Sequence, residues 1–252
     1  MATKYDYSVL DKFQFERKPV GVKFMITRPK GIKRLQKELN FCEMLGEAQN
    51  GHAFYVAPDD WVCVGIEQII LGMRDTDPVL VSGLLGGEDK LFASASACRA
   101  LYDHLPRMQK GSVQYVALAP IDKMNYDPDV LVIAANLAQA QTILRSVNYS
   151  TGVPFMSKAT PVIACAWIYV YPVVSGELNY YVTGLGVGMQ SVNALPPGIF
   201  LISVPFQRIP TVLENLKEME FSPTLKKGPG GPAHRKRVNA LLEKMREKIE
   251  AK

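Results

Sequence analysis

A mixed α+β fold, with one principal domain and a C-terminal basic helical tail, is what this sequence predicts. Three observations point to it. Short β-rich runs such as PVGVKFMI (19–26), SVQYVALAP (112–120) and GIFLISVP (198–205) alternate with segments whose apolar residues recur at helical spacing. The 252 residues are 48% hydrophobic, enough to bury a sizeable core without a disulfide or metal staple. Charge is unevenly placed: residues 226–252 carry nine Lys/Arg against three Glu, a net +6, so the first 225 residues sum to −1. The expected organisation is therefore a near-neutral domain over 1–225 and a hinge plus basic helix over 226–252. A neutral body lacks the basic face that nucleic-acid binding requires.

From the N-terminus, residues 6–17 read as a short amphipathic helix with Leu10, Phe13 and Phe15 on one side, and 19–26 as a buried strand. In 32–51, Leu35, Leu39, Cys42 and Leu45 form a helical stripe closed by Gly51, which puts Cys42 on the core side. HAFYVA (52–57) is a strand. PDDW (58–61) resembles a helix start, with Asp59 or Asp60 as cap and Val62, Ile66, Ile69 and Ile70 behind it. That reading sets Cys63 in a first helical turn, where free N–H groups and the helix dipole favour a thiolate. Cys63 is then expected to have the lowest thiol pKa of the four cysteines, against the opposing charge of Asp59 and Asp60.

GLLGGEDK (83–90) reads as a glycine-rich loop, and 90–105 as a helix stopped by Pro106 and carrying Cys98. Two strands, 112–120 and 127–136, lead to a helix over 137–152. The stretch 159–185 is apolar and aromatic around Cys165. NYYVTGLGVGM (179–189) is a strand running into glycines, 198–205 a strand, and TVLENLKEME (211–220) a helix. KKGPGGPAHRKR (226–237) is a hinge by composition, with an amphipathic helix over 237–252 after it. The longest apolar run, TPVIACAWIYVYPVV (160–174), is cut by Pro172 and falls short of the roughly 20 residues a membrane span needs. With no apolar signal core at the start, a cytoplasmic protein is expected.

The four cysteines, at 42, 63, 98 and 165, are spaced too widely for a secreted disulfide framework or a zinc ribbon. KPVGVKF (18–24), the cysteine in NFCEMLGEAQNG (40–51), WVCVGIEQIILG (61–72), ALAPIDKMNYDPDVLVIAANLAQA (117–140), ACAW (164–167), GLGVGM (184–189) and PPGIFLISVP (196–205) together resemble the DUF169 family of prokaryotic proteins, found in archaea and anaerobic bacteria. Cys42, Cys63 and Cys165 match the cysteine positions of that family, and Cys98 does not. The resemblance covers residues 18 to about 220 in order and implies no particular reaction.

If the fold gathers Cys42, Cys63 and Cys165, three thiolates can hold an iron–sulfur cluster, with a fourth ligand from outside the triad. The competing readings are that buried cysteines pack as small apolar groups, or that one is a nucleophile. Gly184, Gly186 and Gly188 are the candidate cofactor-binding positions, where backbone can approach a phosphate; they lack G-x-G-x-x-G spacing, and a bend explains them as well. Hydrolytic chemistry would rest on carboxylates such as Glu67, Asp127 and Asp129. Trp167, Tyr169, Tyr171, Tyr180 and Tyr181 line a flat-cofactor pocket or, as large rings usually do, fill the core. The tail's Val238, Leu241, Leu242, Met245 and Ile249 offer a stripe to a protein partner or a second copy of the chain. The function expected is a cytoplasmic cysteine-ligated cofactor- or metal-binding protein of anaerobic redox metabolism. The alternatives are a small-molecule-binding module with structural cysteines and an interaction protein working through its tail.

Overall fold

Seven strands make one mixed sheet in the computed structural model, which describes residues 3–63, 65–221 and 232–250. They are β1 (Val20–Met25), β2 (Lys33–Arg34), β3 (Phe54–Val56), β4 (Tyr115–Pro120), β5 (Val130–Ala135), β6 (Asn179–Val182) and β7 (Phe200–Pro205), in the order β2-β3-β4-β1-β5-β7-β6. Only the β2–β3 pair is parallel. β1 lies between β4 and β5, with Val22 opposite Leu118 on one side and Val130 on the other.

Alternation along β5 shows how the sheet is covered. Val130, Val132 and Ala134 join a core cluster with Phe41, Met44 and Leu45 and with residues 164–170. Leu131 and Ile133, pointing the other way, are equally buried. Helix α1 (Phe41–Gln49) packs on β4 and β1. A later helix, Leu137–Asn148, packs on β5 and β7. A strand covered on both faces has no polar side to show, so it reads in sequence as the continuous apolar run VLVIAA.

The helix expected over 32–51 forms only in its second half. Asn40 accepts from Glu43 N at 2.9 Å while the Glu43 carboxylate accepts from Asn40 N at 3.0 Å. This reciprocal cap starts α1 at Phe41. Upstream, Lys33–Arg34 is drawn into the sheet edge beside β3, and Arg34 forks onto the Asp60 carboxylate. The helix after PDDW also starts late. Pro58–Asp60 is a single 3₁₀ turn, and α2 spans Ile66–Ile70 with Gly65 as its N-cap. Cys63 therefore precedes the helix rather than sitting in its first turn.

The GLLGGEDK segment is not a loop. It forms α3 (Leu84–Glu88), which packs on α4 (Ala95–His104), the latter capped by Ser94. A Cβ on Gly86 would stand 2.5 Å from the Cys98 sulfur, and one on Gly87 would stand 2.6 Å from Ala95 N. The two glycines thus permit close approach of the helices.

After β5 comes α5 (Leu137–Asn148), and after a π-helical turn (Ala166–Val170) come α6 (Tyr171–Ser175) and α7 (Val187–Ser191). The amphipathic helix α8 (Ile209–Glu218) is tied to α5 where Asn215 Nδ2 donates to Ser146 O at 2.7 Å. Among the described residues no helix is long and apolar enough to cross a membrane.

The chain divides into two compact units, 1–217 and 218–252. Positions 226–231 of the expected hinge lie outside the described residues. Helix α9 (Pro232–Glu250) begins earlier than the sequence implied, with Pro232 at its first position, where a missing N–H costs nothing. Leu241, Leu242, Met245 and Ile249 are exposed along it. Since 226–252 fall in the second unit and the first has its own core, deleting them is expected to leave the thermal midpoint of the remaining chain unchanged. A drop of several degrees would show that α9 buries its stripe at about 1.5–3 kcal/mol per large side chain.

Candidate functional site

Cys42 sits at the second position of α1, fixed by the Asn40–Glu43 cap. Its neighbour Phe41 is 1% exposed and stacks on Tyr169 with ring centroids 4.1 Å apart, while Trp61 meets Phe41 edge-on at 4.8 Å. Cys63 lies two residues after Trp61, in the bend before Gly65. Cys165 immediately precedes the π-helical turn.

Tyr169 and Tyr181 are each 1% exposed, and Tyr181 Oη donates to Thr160 O at 2.7 Å. Trp167 Nε1 donates to Thr160 Oγ1 at 2.6 Å. Trp167, Tyr169 and Tyr181 are core rings.

The three cysteines come from distant segments yet feel one another. Burial pushes the Cys42 thiol up to about 12, and the Cys63 sulfur adds to the rise. Burial and then the Glu67 carboxylate push Cys63 up to about 12 as well; the Phe41 N–H, at the free first turn of α1, pulls the other way. Cys165 is raised further by burial, with Cys42, Glu67 and Cys63 all contributing. Cys98 lies under Gly86, and none of the other three thiols is among the groups that perturb it.

The expectation for Cys63 is overturned. Its thiol is strongly raised, not the lowest, because tertiary packing buries it beside a carboxylate and its own helix begins too late to supply a dipole.

Glu67, in the first turn of α2, was singled out from the sequence only as a carboxylate for hydrolytic chemistry, not as a neighbour of the cysteines. It is 1% exposed. Neither carboxylate oxygen has a hydrogen-bond partner among the described residues. The backbone N–H groups of Glu67 and Gly65, the Cys63 thiol and the Arg74 guanidinium are near enough to favour the ionised form, but none meets the carboxylate at bonding geometry. Burial outweighs them, so its pKa rises above the usual carboxylate range. The C-x-x-x-E spacing of Cys63 and Glu67 is the only sequence signal for it.

Two backbone features flank the cluster. Ile163 holds a φ of +56°, an unfavourable left-handed conformation for a β-branched residue, two positions before Cys165. The π-helical turn comes directly after. Such irregularities are stabilised only where surrounding structure over-determines them, and they concentrate at functional sites.

Gly184, Gly186 and Gly188 lie between β6 and the end of α7. Gly186 backs onto the Tyr181 hydroxyl, at 3.2 Å from where a Cβ would stand; Gly188 faces open space. Gly184 O accepts from the Gln190 side chain. Gly186 thus backs onto the same Tyr181 hydroxyl that Cys42 and Cys165 perturb.

Asp127 and Asp129 are tethers. Asp127 accepts from Lys4 N at 2.8 Å, and Asp129 accepts from Phe24 N at 2.7 Å and Lys23 Nζ at 2.8 Å. As they stand, no three His, Cys, Asp or Glu side chains among the described residues are arranged to hold a metal ion.

The raised Glu67 carboxyl carries a prediction for the metal-free chain. Below the ordinary Glu range both folded and unfolded states keep the proton, and Glu67 has no effect. Above its raised folded value it costs about 1.4 kcal/mol for each pH unit by which the pKa is raised. Stability should therefore fall as the pH climbs through that window. Glu67→Gln, with no proton to lose, should match the wild type at low pH and exceed it at high pH. Thermal melts across a pH series test this, and a constant offset between the two proteins would refute it.

One family profile matches most of the chain: DUF169, described as an uncharacterised ArCR, over residues 9–215. No curated protein matches the chain, and no solved structure does.

Proposed function

The chain belongs to the DUF169 family, and from that premise we propose that it is a cytoplasmic metal- or cofactor-binding protein of anaerobic redox metabolism, with Cys42, Cys63 and Cys165 as its thiolate donors. The observation that carries the reading is that Cys63 raises the Cys42 thiol, and both raise that of Cys165, although the three come from α1, the α2 approach and the start of the π-helical segment. Three sulfurs favour iron–sulfur chemistry or a soft cation over a hard one. Metal would have to displace thiol protons held at high pKa, so binding should strengthen steeply with pH. The side chains would have to swing together to share one centre. Gly184, Gly186 and Gly188 would let backbone come close to a bound cofactor.

Anaerobic purification, then metal and inorganic-sulfide analysis, tests this. The expected result is bound metal, or a cluster with broad visible absorption, lost in Cys42→Ser, Cys63→Ser and Cys165→Ser and kept in Cys98→Ser. Metal-free protein under these conditions, unable to take up added iron or zinc, would overturn it.

A second reading, a small-molecule-binding module with structural cysteines, is favoured by a different observation. The buried Trp61 Nε1–H has no partner among the described residues. It is a donor that a cation cannot satisfy and a polar organic ligand can. The exposed stripe of α9 supports a further role in docking a protein partner or a second copy of the chain, which light scattering of the full chain and of residues 1–225 would reveal.

A further inference from the structure

Helix α9 (Pro232–Glu250) carries an apolar pattern and a charge pattern that fit each other. At about 100° of rotation per residue, Val238, Leu241, Leu242, Met245 and Ile249 fall within one arc of about 100°. Arg235 and Arg246 stand just beyond one edge of that arc, and Arg237, Lys244 and Lys248 just beyond the other. Glu243, Glu247 and Glu250 lie on the opposite side of the helix, with Lys236 among them. Bases therefore border the stripe on both sides, and no acid does. The unit that contains α9, Glu218–Lys252, has no further complete helix or strand among its described residues to cover the stripe.

The placement of charge selects what covers it. A second copy of α9, parallel or antiparallel, would set the bordering bases of one helix against those of the other, and like charges so placed repel. A nucleic acid would neutralise the bases but leave the apolar stripe in water. A protein groove would have to supply carboxylates along both walls, and α9 offers it no large aromatic anchor, since residues 222–252 contain no Trp, Tyr or Phe. A lipid surface with anionic headgroups meets both demands at once. Its acyl chains take up the stripe, while the long Lys and Arg side chains on either side reach back to the phosphates.

We infer that α9 lies in the plane of an anionic membrane surface, apolar stripe inward, and holds the chain there reversibly. The inference stands on this helix alone and is independent of the cysteine reading. Only one side of α9 is apolar, so it is built to lie on a bilayer and not to cross one. The glutamates then face water, where they cost nothing. Lys226 and Lys227 add two bases to the same stretch of sequence.

Sedimentation of the full-length chain with vesicles tests this, using phosphatidylglycerol and phosphatidylcholine in equal parts against phosphatidylcholine alone. Binding to the mixed vesicles is expected, at least about tenfold tighter than to the neutral ones and falling steeply with added salt. Arg237→Gln, Lys244→Gln and Lys248→Gln together should weaken it by roughly a hundredfold, taking each base near an anionic leaflet as worth about fivefold. Leu242→Gln with Met245→Gln should abolish it although glutamine favours the helix, and circular dichroism verifies that helix content in solution is kept. Glu243→Gln with Glu247→Gln, on the far side, should not weaken it. Absence of binding to the mixed vesicles, or equal binding to both kinds, would overturn the inference and leave the stripe to a protein. Undiminished binding after Leu242→Gln with Met245→Gln would overturn it too, since attraction by charge alone needs no stripe. A dimer in light scattering that the same pair of substitutions dissolves, without vesicle binding, would assign the stripe to a second copy instead.

Discussion

Replacing Phe41 with alanine is expected to cost about 3–5 kcal/mol of stability. The ring is 1% exposed and is held on two sides, stacked on Tyr169 at 4.1 Å and edge-on to Trp61 at 4.8 Å. Aromatic pairs add about 0.5–1.5 kcal/mol beyond the area they bury. Its removal would leave a hole that neither neighbour can fill, since Tyr169 is fixed in the π-helical turn and Trp61 is bridged to Leu39. For a chain of this size the thermal midpoint should fall by roughly 6–20 °C. Phe41→Leu, which keeps most of the volume, should cost less than half as much. Equal losses for the two substitutions in urea melts would mean that the ring contacts, and not the filled volume, account for the cost. Cys42 follows Phe41 in the chain and Cys63 is held by the Phe41 backbone N–H, so loosening this corner by Phe41→Ala should also speed alkylation at both cysteines.

Asn179→Asp is expected to be nearly as damaging although it changes almost no volume. Asn179 is 1% exposed and uses its whole amide. Its Oδ1 accepts from Ser157 Oγ at 2.8 Å and Lys158 N at 2.9 Å. Its Nδ2 donates to Lys158 O at 2.9 Å and to Trp167 O at 2.8 Å. The last of these ties β6 to the π-helical turn behind Cys165. A carboxylate keeps the acceptor but sets a negative oxygen against two carbonyls and loses both donations. At about 1–3 kcal/mol for each buried group left unpaired, the loss should come to about 2–5 kcal/mol. Burial and the facing carbonyls raise the folded pKa of the new Asp, so the loss should grow as the pH rises above the ordinary Asp range. Denaturant melts at two pH values measure it. A loss under about 1 kcal/mol at neutral pH would mean that this amide does not hold the turn in place.

Six of the seven strands, β1 and β3 through β7, were legible in the sequence because each is an apolar or β-branched run closed by proline, glycine or a polar cap. Helices α4, α5 and α8 were legible too, the first two because Ser94 and the reciprocal Asn136–Gln139 pair are local caps that need only a few residues of chain; α6 and α7, in the aromatic and glycine-rich stretches, were not. Local pattern also misled. Leu35 and Leu39 continue the helical stripe of α1, yet the Asn40–Glu43 cap and the pairing of Lys33–Arg34 with β3 confine the helix to Phe41 and beyond. The glycines of GLLGGEDK read as a loop, because sequence cannot show that a second helix will press against them. The two-residue β2 has no periodicity at all; only β3 beside it makes it a strand.

For the site, the cysteines themselves could be chosen from the sequence, by their match to the family pattern and not by spacing. The shared neighbourhood of Cys42, Cys63 and Cys165 depends on packing across more than 120 residues of chain, and no local rule encodes it. The same holds for the titration of Cys63. A helix dipole is a local property and would have lowered its pKa; burial beside Glu67 is a tertiary one and raises it. Sequence determined which residues can carry soft-metal chemistry and which segments become strands and helices, because chemical type and hydrogen-bonding period are local. Only the tertiary structure decided which of those groups lose water together, and the removal of water is what turns an ordinary glutamate in a short helix into a buried carboxylate with no hydrogen-bond partner among the described residues.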